Sequence, residues 1–310
     1  MTGSFPRDVP NRMTVADLVH QTAGEATIHG NPSREIASVG SLENANQESL
    51  AFCRFEGTQA SDLISRSSAG VIIVSDAPSE RPDRSFIVTP DPRGWFIDAL
   101  GVLFYETVSS SIHPEASIGS GAMIGEGVSV GAFSRVEDGA VIGDGCIIGD
   151  HCVVTGGATL GEGVRMQSLS VVGATGLSFH ERPSGQRAFF PHLGRALVGK
   201  GVSIGTHTVI VRGIVEDTVL GEACMIGNQV NIGHNVQVGD EVFISSGSLI
   251  AGGSSIGNGA LIAAGVRISS HVEIGARAVV GLGSVVVKPV PDGGRVFGNP
   301  AKPVPALRRF

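Results

Sequence analysis

The feature that most constrains the fold is a six-residue repeat in the second part of the chain. An apolar residue recurs at every sixth position from Ile112 to Val172, and the spacing resumes at Val198. It then continues in unbroken register from Leu220 to Val286. The residue after it is often Gly, and the fifth position is usually Ala, Val, Ser, Cys or Thr. Glycine reaches 45 of 310 residues without a collagen period, so the composition also favours a solenoid.

Each hexad is typical of a short strand followed by a corner, and three hexads build one triangular coil. The aliphatic residue points inward, while Gly, Asn and Asp supply the positive φ angles of the corner at low cost. Successive coils stack as parallel strands roughly 4.8 Å apart and bury their apolar residues against each other. The sequence therefore predicts a mainly β protein, a left-handed parallel β-helix of roughly eight to nine coils. This handedness is an exception to the right-handed crossover rule.

The residues before the repeat predict a small α/β domain over 1–106. "MTVADLVHQTAG" and "DPRGWFIDALGVLFY" favour helices, the second with a proline near its start. "AGVIIVSD" and "RSFIVTP" favour buried strands. The β-helix domain is then expected over 107–290. The proline-rich residues 291–310 are expected to leave it as an extended tail, because proline cannot donate to a ladder.

Two interruptions break the register of the repeat. Residues 174–197 form a long excursion, which we interpret as a loop projecting from the β-helix. Excursions of this length in a compact domain are usually functional. The second interruption is shorter, with four extra residues between Ile210 and Leu220.

Bulk properties exclude several classes of function. The net charge of -7 argues against a nucleic-acid partner. No apolar stretch is long enough for a membrane span, no signal peptide is visible, and a cytoplasmic location is expected. The four cysteines fit neither a zinc site nor a disulfide framework and are interpreted as small buried thiols: Cys53, Cys146, Cys152 and Cys224. No metal and no cofactor are expected.

His234 stands where the repeat would place a small residue. Gly252 follows it by eighteen residues, which is one coil, and should lie beside it in the next coil. His271 belongs to the hexad two coils on and should share the same edge, roughly 10 Å along the axis. The column predicts two imidazoles on one edge with a glycine between them.

This column favours acyl transfer from a thioester. An imidazole can act as a general base on an amine or hydroxyl, typically worth about 10² to 10⁴ in rate. A glycine N–H can stabilise an oxyanion, worth about 10² to 10³. The alternative is that His234 is a surface or trimer-contact histidine. Among the other histidines, His192 in the 174–197 loop is the best further candidate.

The residues around this column resemble the UDP-3-O-acylglucosamine N-acyltransferases of lipid A synthesis. "GNQVNIGHNVQVGD" is similar to the family's active-site coil, "VVGATGLSF…FFPHLGRALVG" to its loop segment, and "RISSHVEIG" to its second histidine segment. The resemblance covers nearly the whole chain. It implies a nucleotide-sugar-binding domain followed by the β-helix, in a homotrimer with active sites between subunits. It also implies that His234 activates the glucosamine 2-amine, that the Gly252 N–H binds the oxyanion, and that His271 assists with the acyl group or oxyanion.

The sequence departs from the family pattern in two places. Where the family has an "F-x-x-N-P-K-Y"-like segment beside the uracil, this chain has "FCRFEGT". Phe52 matches and Phe55 is a possible substitute, the alternative being that both are domain core. Gly227 stands where the family often has an acidic residue. Orientation of His234 is therefore expected to depend on Asn228 or Asn231.

The acyl donor and the function class have open alternatives. The family's C-terminal helical extension is absent from this sequence, and "GNPAKP" resembles acetyltransferases that use coenzyme A. The donor is therefore either acyl carrier protein or acyl-CoA. The first hypothesis is a sugar-nucleotide N-acyltransferase, and the second is an acetyl-CoA-dependent sugar-nucleotide acetyltransferase of O-antigen-type synthesis. The third is a non-catalytic solenoid scaffold.

Overall fold

The computed structural model describes residues 6–76, 83–104 and 110–304, and it divides into two compact units, 1–107 and 108–310. The expected junction at residues 106 and 107 lies outside the described residues. Each unit is built around its own hydrophobic core.

The first unit is a six-stranded sheet with three helices. The strand order is β1-β3-β4-β5-β6-β2, with β3 to β6 parallel and β1 and β2 antiparallel at the margins. The two expected helices and the two expected strands are present. The elements are β1 Arg7–Thr14, α1 Val15–Gln21, β2 Thr27–His29, β3 Glu35–Val39, β4 Ser49–Phe52, α2 Gly57–Arg66, β5 Val71–Val74, β6 Ser85–Val88 and α3 Pro92–Phe104.

The second unit is the left-handed parallel β-helix that the repeat predicts, with three faces. Face 1 is a nine-stranded sheet, made of β7 Ser117–Ile118, β10 Arg135–Val136, β13 Val153–Val154, β16 Val171–Ala174, β21 Val209–Val211, β24 Asn231–Ile232, β27 Leu249–Ile250, β30 Arg267–Ile268 and β33 Val285–Val286. Face 2 is an eight-stranded sheet, made of β8 Met123–Ile124, β11 Val141–Ile142, β14 Thr159–Leu160, β19 Ala196–Val198, β22 Thr218–Leu220, β25 Gln237–Val238, β28 Ser255–Ile256 and β31 Glu273–Ile274.

Face 3 is a ten-stranded sheet that completes each coil. Its strands are β9 Ser129–Val130, β12 Ile147–Ile148, β15 Arg165–Met166, β20 Ser203–Ile204, β23 Met225–Ile226, β26 Phe243–Ile244, β29 Leu261–Ile262, β32 Val279–Val280, β34 Arg295–Phe297 and β35 Lys302–Pro303. We call the corners between these sheets edge 1–2, edge 2–3 and edge 3–1. A residue therefore meets its equivalent eighteen positions later, as when Ile232 pairs with Ile250.

The small fifth-position residues close the corners from inside. Ser134 Oγ donates to the carbonyl of Gly149 at 2.6 Å, and Thr208 Oγ1 donates to the carbonyl of Gly227 at 2.7 Å. Cys152 makes the equivalent bond to Gln167 at 3.2 Å. The four cysteines are free and buried, as the sequence indicated. Burial raises the pKa of the Cys152 thiol, which keeps it protonated and suited to this structural role.

The prediction that residues 291–310 leave the β-helix as a tail is wrong for the described part. Strand β34 pairs in parallel with β32, with Val296 opposite Val280. Val296 is 8% exposed and occupies the inward position that the repeat reserves for an aliphatic residue. Strand β35 adds an antiparallel partner at the margin of face 3, where Pro303 is tolerated. Residues 305–310 lie outside the described residues.

Candidate active site

Both interruptions of the repeat lie on the edge that carries His234. The first, residues 175–195, joins β16 of face 1 to β19 of face 2, and the second joins β21 to β22. The turn containing His234 follows in the next coil on this same edge 1–2, between β24 and β25. Two regular coils then place Gly252 and His271 on it. The departures from the repeat are therefore concentrated at one place.

The first interruption is a hairpin rather than an irregular loop. Its strands, β17 Phe179–Glu181 and β18 Arg187–Phe189, pair antiparallel. The segment exposes several large apolar side chains, namely Leu177, Phe179, Phe189, Phe190 and Leu193. The chain then turns back toward the β-helix and places His192 at the edge.

His192 packs directly against His234. Their ring centroids are 5.7 Å apart with an interplanar angle of 75°, an edge-to-face arrangement. His192 is 7% exposed, and its Nδ1 lies 3.1 Å from the carbonyl oxygen of Phe190. Because a carbonyl only accepts, Nδ1 carries the proton. The Nε2 atom is buried without a hydrogen-bond partner among the described residues.

The surroundings keep His192 neutral. Burial lowers the pKa of its imidazole, the Phe190 carbonyl partly opposes this, and the charges of His234 and Arg212 lower the pKa further. Protonation of His192 beside His234 is therefore disfavoured. From the sequence, His192 was only the best further candidate among the other histidines, because its position in a loop could not be related to the coils.

His234 and His271 both lean over a pair of glycines. A Cβ added to Gly252 would lie 2.5 Å from Nε2 of His234, closer than real Cβ atoms approach. A Cβ on the adjacent Gly253 would lie 2.5 Å from Cε1 of His271. The two imidazoles therefore approach the Gly252–Gly253 turn from the preceding and the following coil. The structure brings together the three residues of the predicted column, with His271 displaced by one position, over Gly253.

Gly252 is buried on this edge, and its backbone N–H differs from equivalent groups elsewhere in the β-helix. In several coils the N–H at the same hexad position is bound by an Asp, Asn or Ser side chain from the next coil, as when Asp144 Oδ1 accepts from Glu126 at 2.8 Å. Within the described ranges, the N–H of Gly252 donates to no protein acceptor. An oxygen bound beside His234 Nε2 that reached this N–H would complete its hydrogen bonding.

The second interruption holds Asn235, the residue after His234. Asn235 Oδ1 lies 3.0 Å from His234 Nδ1 and accepts from the Ile214 N–H at 3.1 Å. Its Nδ2 donates to the carbonyl of Glu216 at 2.9 Å. The two interruptions are also bonded to each other, because the Leu193 N–H donates to the Ile214 carbonyl at 2.7 Å.

The expectation that Asn228 orients His234 is wrong. Asn228 lies one hexad earlier, and this places it on edge 3–1, where its Oδ1 accepts from the Thr206 N–H at 3.1 Å. Asn231 is on β24 and lines a pocket beside His234 without a hydrogen bond to it among the described residues. The signal that identifies Asn235 is its adjacency to His234 combined with the short interruption one coil earlier on the same edge.

Two pockets flank His234. On the face 2 side the pocket is lined by several charged or hydrogen-bonding residues, namely Glu216, Asp217, Asn235, Gln237 and His271. Asp217 is bound by Arg195 at 2.8 Å, and this hydrogen bond lowers the pKa of the Asp217 carboxyl. On the face 1 side the pocket is lined by no carboxylate among the described residues and includes the aliphatic residues Ala174, Leu177, Val209, Val211 and Leu249 beside Asn231. His234 therefore lies between a pocket that contains carboxylates and one that, within the described ranges, contains none.

The predicted substrate residues of the first unit have different surroundings. Phe52 packs against Phe96, with ring centroids 4.8 Å apart, and both join the core under the sheet. This placement supports the alternative that Phe52 is a core residue. Phe55 is partly buried and lines a pocket at the start of α2, with the Arg54 guanidinium 4.8 Å from its ring centroid.

No helix in the described ranges is long and apolar enough to cross a membrane. No group of three or more His, Cys, Asp or Glu side chains in the same ranges is arranged to hold a metal ion.

Comparison with known proteins agrees with the repeat and the resemblance. A family model described as bacterial transferase hexapeptide (six repeats) matches residues 217–252. A UDP-3-O-acylglucosamine N-acyltransferase from Paraburkholderia phytofirmans is 34% identical over 243 residues, 69% of this chain and 65% of the relative. One from Alkalilimnicola ehrlichii is 32% identical over 230 residues, 68% of this chain and 64% of the relative. The chain thus spans slightly less than two thirds of these relatives.

A solved structure provides an independent comparison of the fold. The UDP-N-acetylglucosamine acyltransferase of Francisella novicida superposes with a TM-score of 0.58 at 21% identity, covering 63% of this chain and 70% of that one. At this identity the likeness shows the fold alone. The chain is thus a hexapeptide-repeat protein with a left-handed β-helix, and the resemblance to the UDP-3-O-acylglucosamine N-acyltransferases that its sequence indicated is confirmed.

Proposed function

We propose that this protein is an acyltransferase that moves an acyl group from a thioester to the amine of a UDP-glucosamine-type sugar nucleotide, in lipid A or related surface-glycan synthesis. The observation that carries the proposal is the position of His234 Nε2 over Gly252, whose N–H has no protein acceptor among the described residues. A base and an oxyanion donor meet there, as acyl transfer requires. The names of the curated relatives support the substrate class.

The reaction needs no group beyond those at this edge. The amine nitrogen attacks the thioester carbonyl carbon while His234 Nε2 takes a proton from that nitrogen. The carbonyl oxygen becomes an oxyanion and accepts a hydrogen bond from the Gly252 N–H. The tetrahedral intermediate then collapses, the C–S bond breaks, and the imidazolium returns the proton to the leaving sulfur. The products are an amide and a free thiol.

The flanking pockets divide the substrates between them. The face 2 pocket, with Gln237, Asp217 and His271, offers hydrogen-bonding side chains to the sugar and its hydroxyl groups. The face 1 pocket, with the aliphatic residues Val209, Val211 and Leu249, suits an acyl chain longer than acetyl. His271 is assigned to the acyl group or the oxyanion, since its ring leans over Gly253 next to the proposed oxyanion site.

The remaining roles follow from the same proposal. The donor is an acyl thioester of acyl carrier protein or of coenzyme A, and no cofactor is required. The first unit binds the nucleotide, with Phe55 as the residue that contacts it. The enzyme acts as a homotrimer in which a neighbouring subunit covers edge 1–2, as in the family that the chain resembles.

The test is reconstitution with defined substrates. The purified protein is incubated with an amino-sugar nucleotide and with thioesters of increasing chain length on acyl carrier protein or coenzyme A. Mass spectrometry follows amide formation, and thermal shift follows binding. We expect an amide product with a medium or long acyl chain. Turnover of acetyl-CoA alone would favour the acetyltransferase. No turnover and no thermal shift with any thioester would favour a non-catalytic scaffold and contradict the proposal.

A further inference from the structure

Four hydrogen bonds fix the side chain and backbone of Asn235. Its N–H donates to Thr218 Oγ1 at 2.8 Å, its Nδ2 donates to the Glu216 carbonyl at 2.9 Å, and its Oδ1 faces both the Ile214 N–H and His234 Nδ1. The residue has φ +59°, a conformation that Asn tolerates better than most residues. Its position is therefore defined by the segment from Ile214 to Thr218 and by His234.

The backbone partners determine which way the amide points. The end that faces the Glu216 carbonyl must be the NH₂ group, because a carbonyl only accepts. The end that faces the Ile214 N–H must be the oxygen, because an N–H only donates. Both constraints agree, so the oxygen is the atom that lies 3.0 Å from His234 Nδ1.

The amide oxygen in turn determines the tautomer of His234. An amide oxygen has no hydrogen to donate, so the hydrogen bond to it requires a proton on Nδ1 of the imidazole. The remaining nitrogen, Nε2, then carries the lone pair. This is the nitrogen that lies over Gly252, where a base is needed.

We propose that Asn235 is a positioning residue that holds His234 in the Nδ1-protonated tautomer, and that the short interruption of the repeat between β21 and β22 exists to hold Asn235. The inference rests on the proposed function, which it deepens by explaining how the base is kept ready. Gly213 makes this possible, because a Cβ there would clash with the carbonyl of Glu216. Asn235 thus orients His234, the role expected from the sequence for Asn228 or Asn231.

The titratable groups around His234 come from three segments of the chain. His192 comes from the first interruption, Glu216 and Asp217 from the short interruption, and His271 from the second coil after His234. Asn235 adds orientation without adding a charge. Asn235→Asp preserves the acceptor for His234 Nδ1 and adds a negative charge, whereas Asn235→Gly removes the side chain and keeps the backbone geometry.

The experiment compares these two variants with Gln229→Gly, a matched control. Gln229 occupies the same hexad position on edge 3–1, with φ +57°, and its side chain is exposed. We expect Asn235→Gly to lower kcat about 10²-fold with KM within about twofold, since a general base is worth about 10² to 10⁴. Asn235→Asp should retain most of kcat at high pH. As pH falls, it should lose activity earlier than the wild type, because a carboxylate favours the protonated imidazole. Gln229→Gly should behave as wild type.

A second readout does not depend on turnover. In ¹⁵N-histidine-labelled protein at pH 8, the signals of His234, identified by their loss in His234→Gln, should show a proton on Nδ1 in the wild type. In Asn235→Gly they should show a mixture of tautomers. An unchanged Nδ1-protonated ring in Asn235→Gly, or a wild-type ring protonated on Nε2, would overturn the inference. Absence of acyl transfer in the wild type would instead contradict the proposed function, and the tautomer would still test the role of Asn235.

Discussion

Edge 1–2 and edge 2–3 are built from the same hexads, and they differ in how third-position N–H groups are bound. In four coils of edge 2–3, this N–H is bound by a side chain of the next coil: Glu126 by Asp144, Glu222 by Asp240, Asp240 by Asn258, and Ala276 by Asp292. On edge 1–2, His234 stacks on Gly252, which has no side chain to bind the N–H of His234. The N–H of Gly252 is itself left without a protein acceptor among the described residues.

The repeat stabilises the fold where its backbone N–H groups are hydrogen-bonded. A candidate site lies where inserted residues interrupt the repeat. A bound N–H contributes to the fold, whereas an open N–H beside an imidazole is available to a ligand. Both insertions lie on edge 1–2, so the residues that depart from the repeat surround the coil in which an unbound N–H lies beside an imidazole. Four substitutions test this difference between the edges.

The largest expected effect comes from removing the imidazole of His234. We expect His234→Ala to lower turnover about 10² to 10⁴-fold, the range for a general base. The melting temperature should change little, because the side chain is only half-buried. Steady-state kinetics and thermal unfolding measure the two quantities. His207→Ala, an exposed imidazole on edge 3–1, is the control, and equal losses in both variants would contradict the contrast between the edges.

Gly252→Ala should come next, with about a 10²-fold loss of turnover. Its Cβ would meet the ring of His234 at 2.5 Å and displace Nε2 from the open N–H. Because the clash is with the end of a flexible side chain, folding should be little affected. In the control Gly121→Ala, on the same edge, the nearest atom lies 3.5 Å from the added Cβ. A fully active Gly252→Ala enzyme would exclude this glycine from the reaction.

His192→Phe should change how stability depends on pH. Since burial lowers the pKa of native His192, the unfolded chain binds a proton first as pH falls below about 6.5. The wild type should therefore lose up to about 1.4 kcal/mol per pH unit from this group until the native imidazole also titrates. Thermal unfolding from pH 7.5 to 5 at constant protein concentration measures the slope. His192→Phe should show a shallower acid loss than wild type and than His207→Phe, and parallel slopes would refute the assignment.

The smallest expected effect belongs to the regular edge. Asp240→Ala removes the acceptor that binds the Glu222 N–H at 2.9 Å. We expect a loss of about 1 kcal/mol in the free energy of unfolding, the usual net value of a hydrogen bond. Turnover should be unchanged, because edge 2–3 contributes nothing to the proposed chemistry. A clear fall in kcat without destabilisation would show that the two edges are not separate in function.

Much of the β-helix could be predicted from the sequence because its determinants are local and periodic. The inward aliphatic residues, the buried cysteines and the placement of His234, Gly252 and His271 all follow from a step of eighteen residues. The last coil departs from this step, because Val296 pairs with Val280, only sixteen residues earlier. The prolines in this segment favoured an extended tail, but a strand of three residues forms between them.

The rest of the site could not be predicted, because it depends on contacts that the repeat does not specify. His192 reaches His234 through a hairpin whose return path is set by its own pairing, Phe179 to Phe189. Asn235 is held by backbone groups of Ile214 and Glu216, and their position depends on how four extra residues fold. The sequence identified both interruptions, whereas their relation to His234 required coordinates.

The triangular cross-section also sets the unit in which such a protein can change length. Gain or loss of a single hexad between His234 and His271 would carry one of them to a different corner and separate the two imidazoles. A whole coil of eighteen residues added before β16 or after β33 would leave every corner in place. Relatives of different lengths can therefore share this chemistry if they differ by complete coils outside the segment 172–274. Such coils lengthen the β-helix and leave the relative positions of the site residues unchanged.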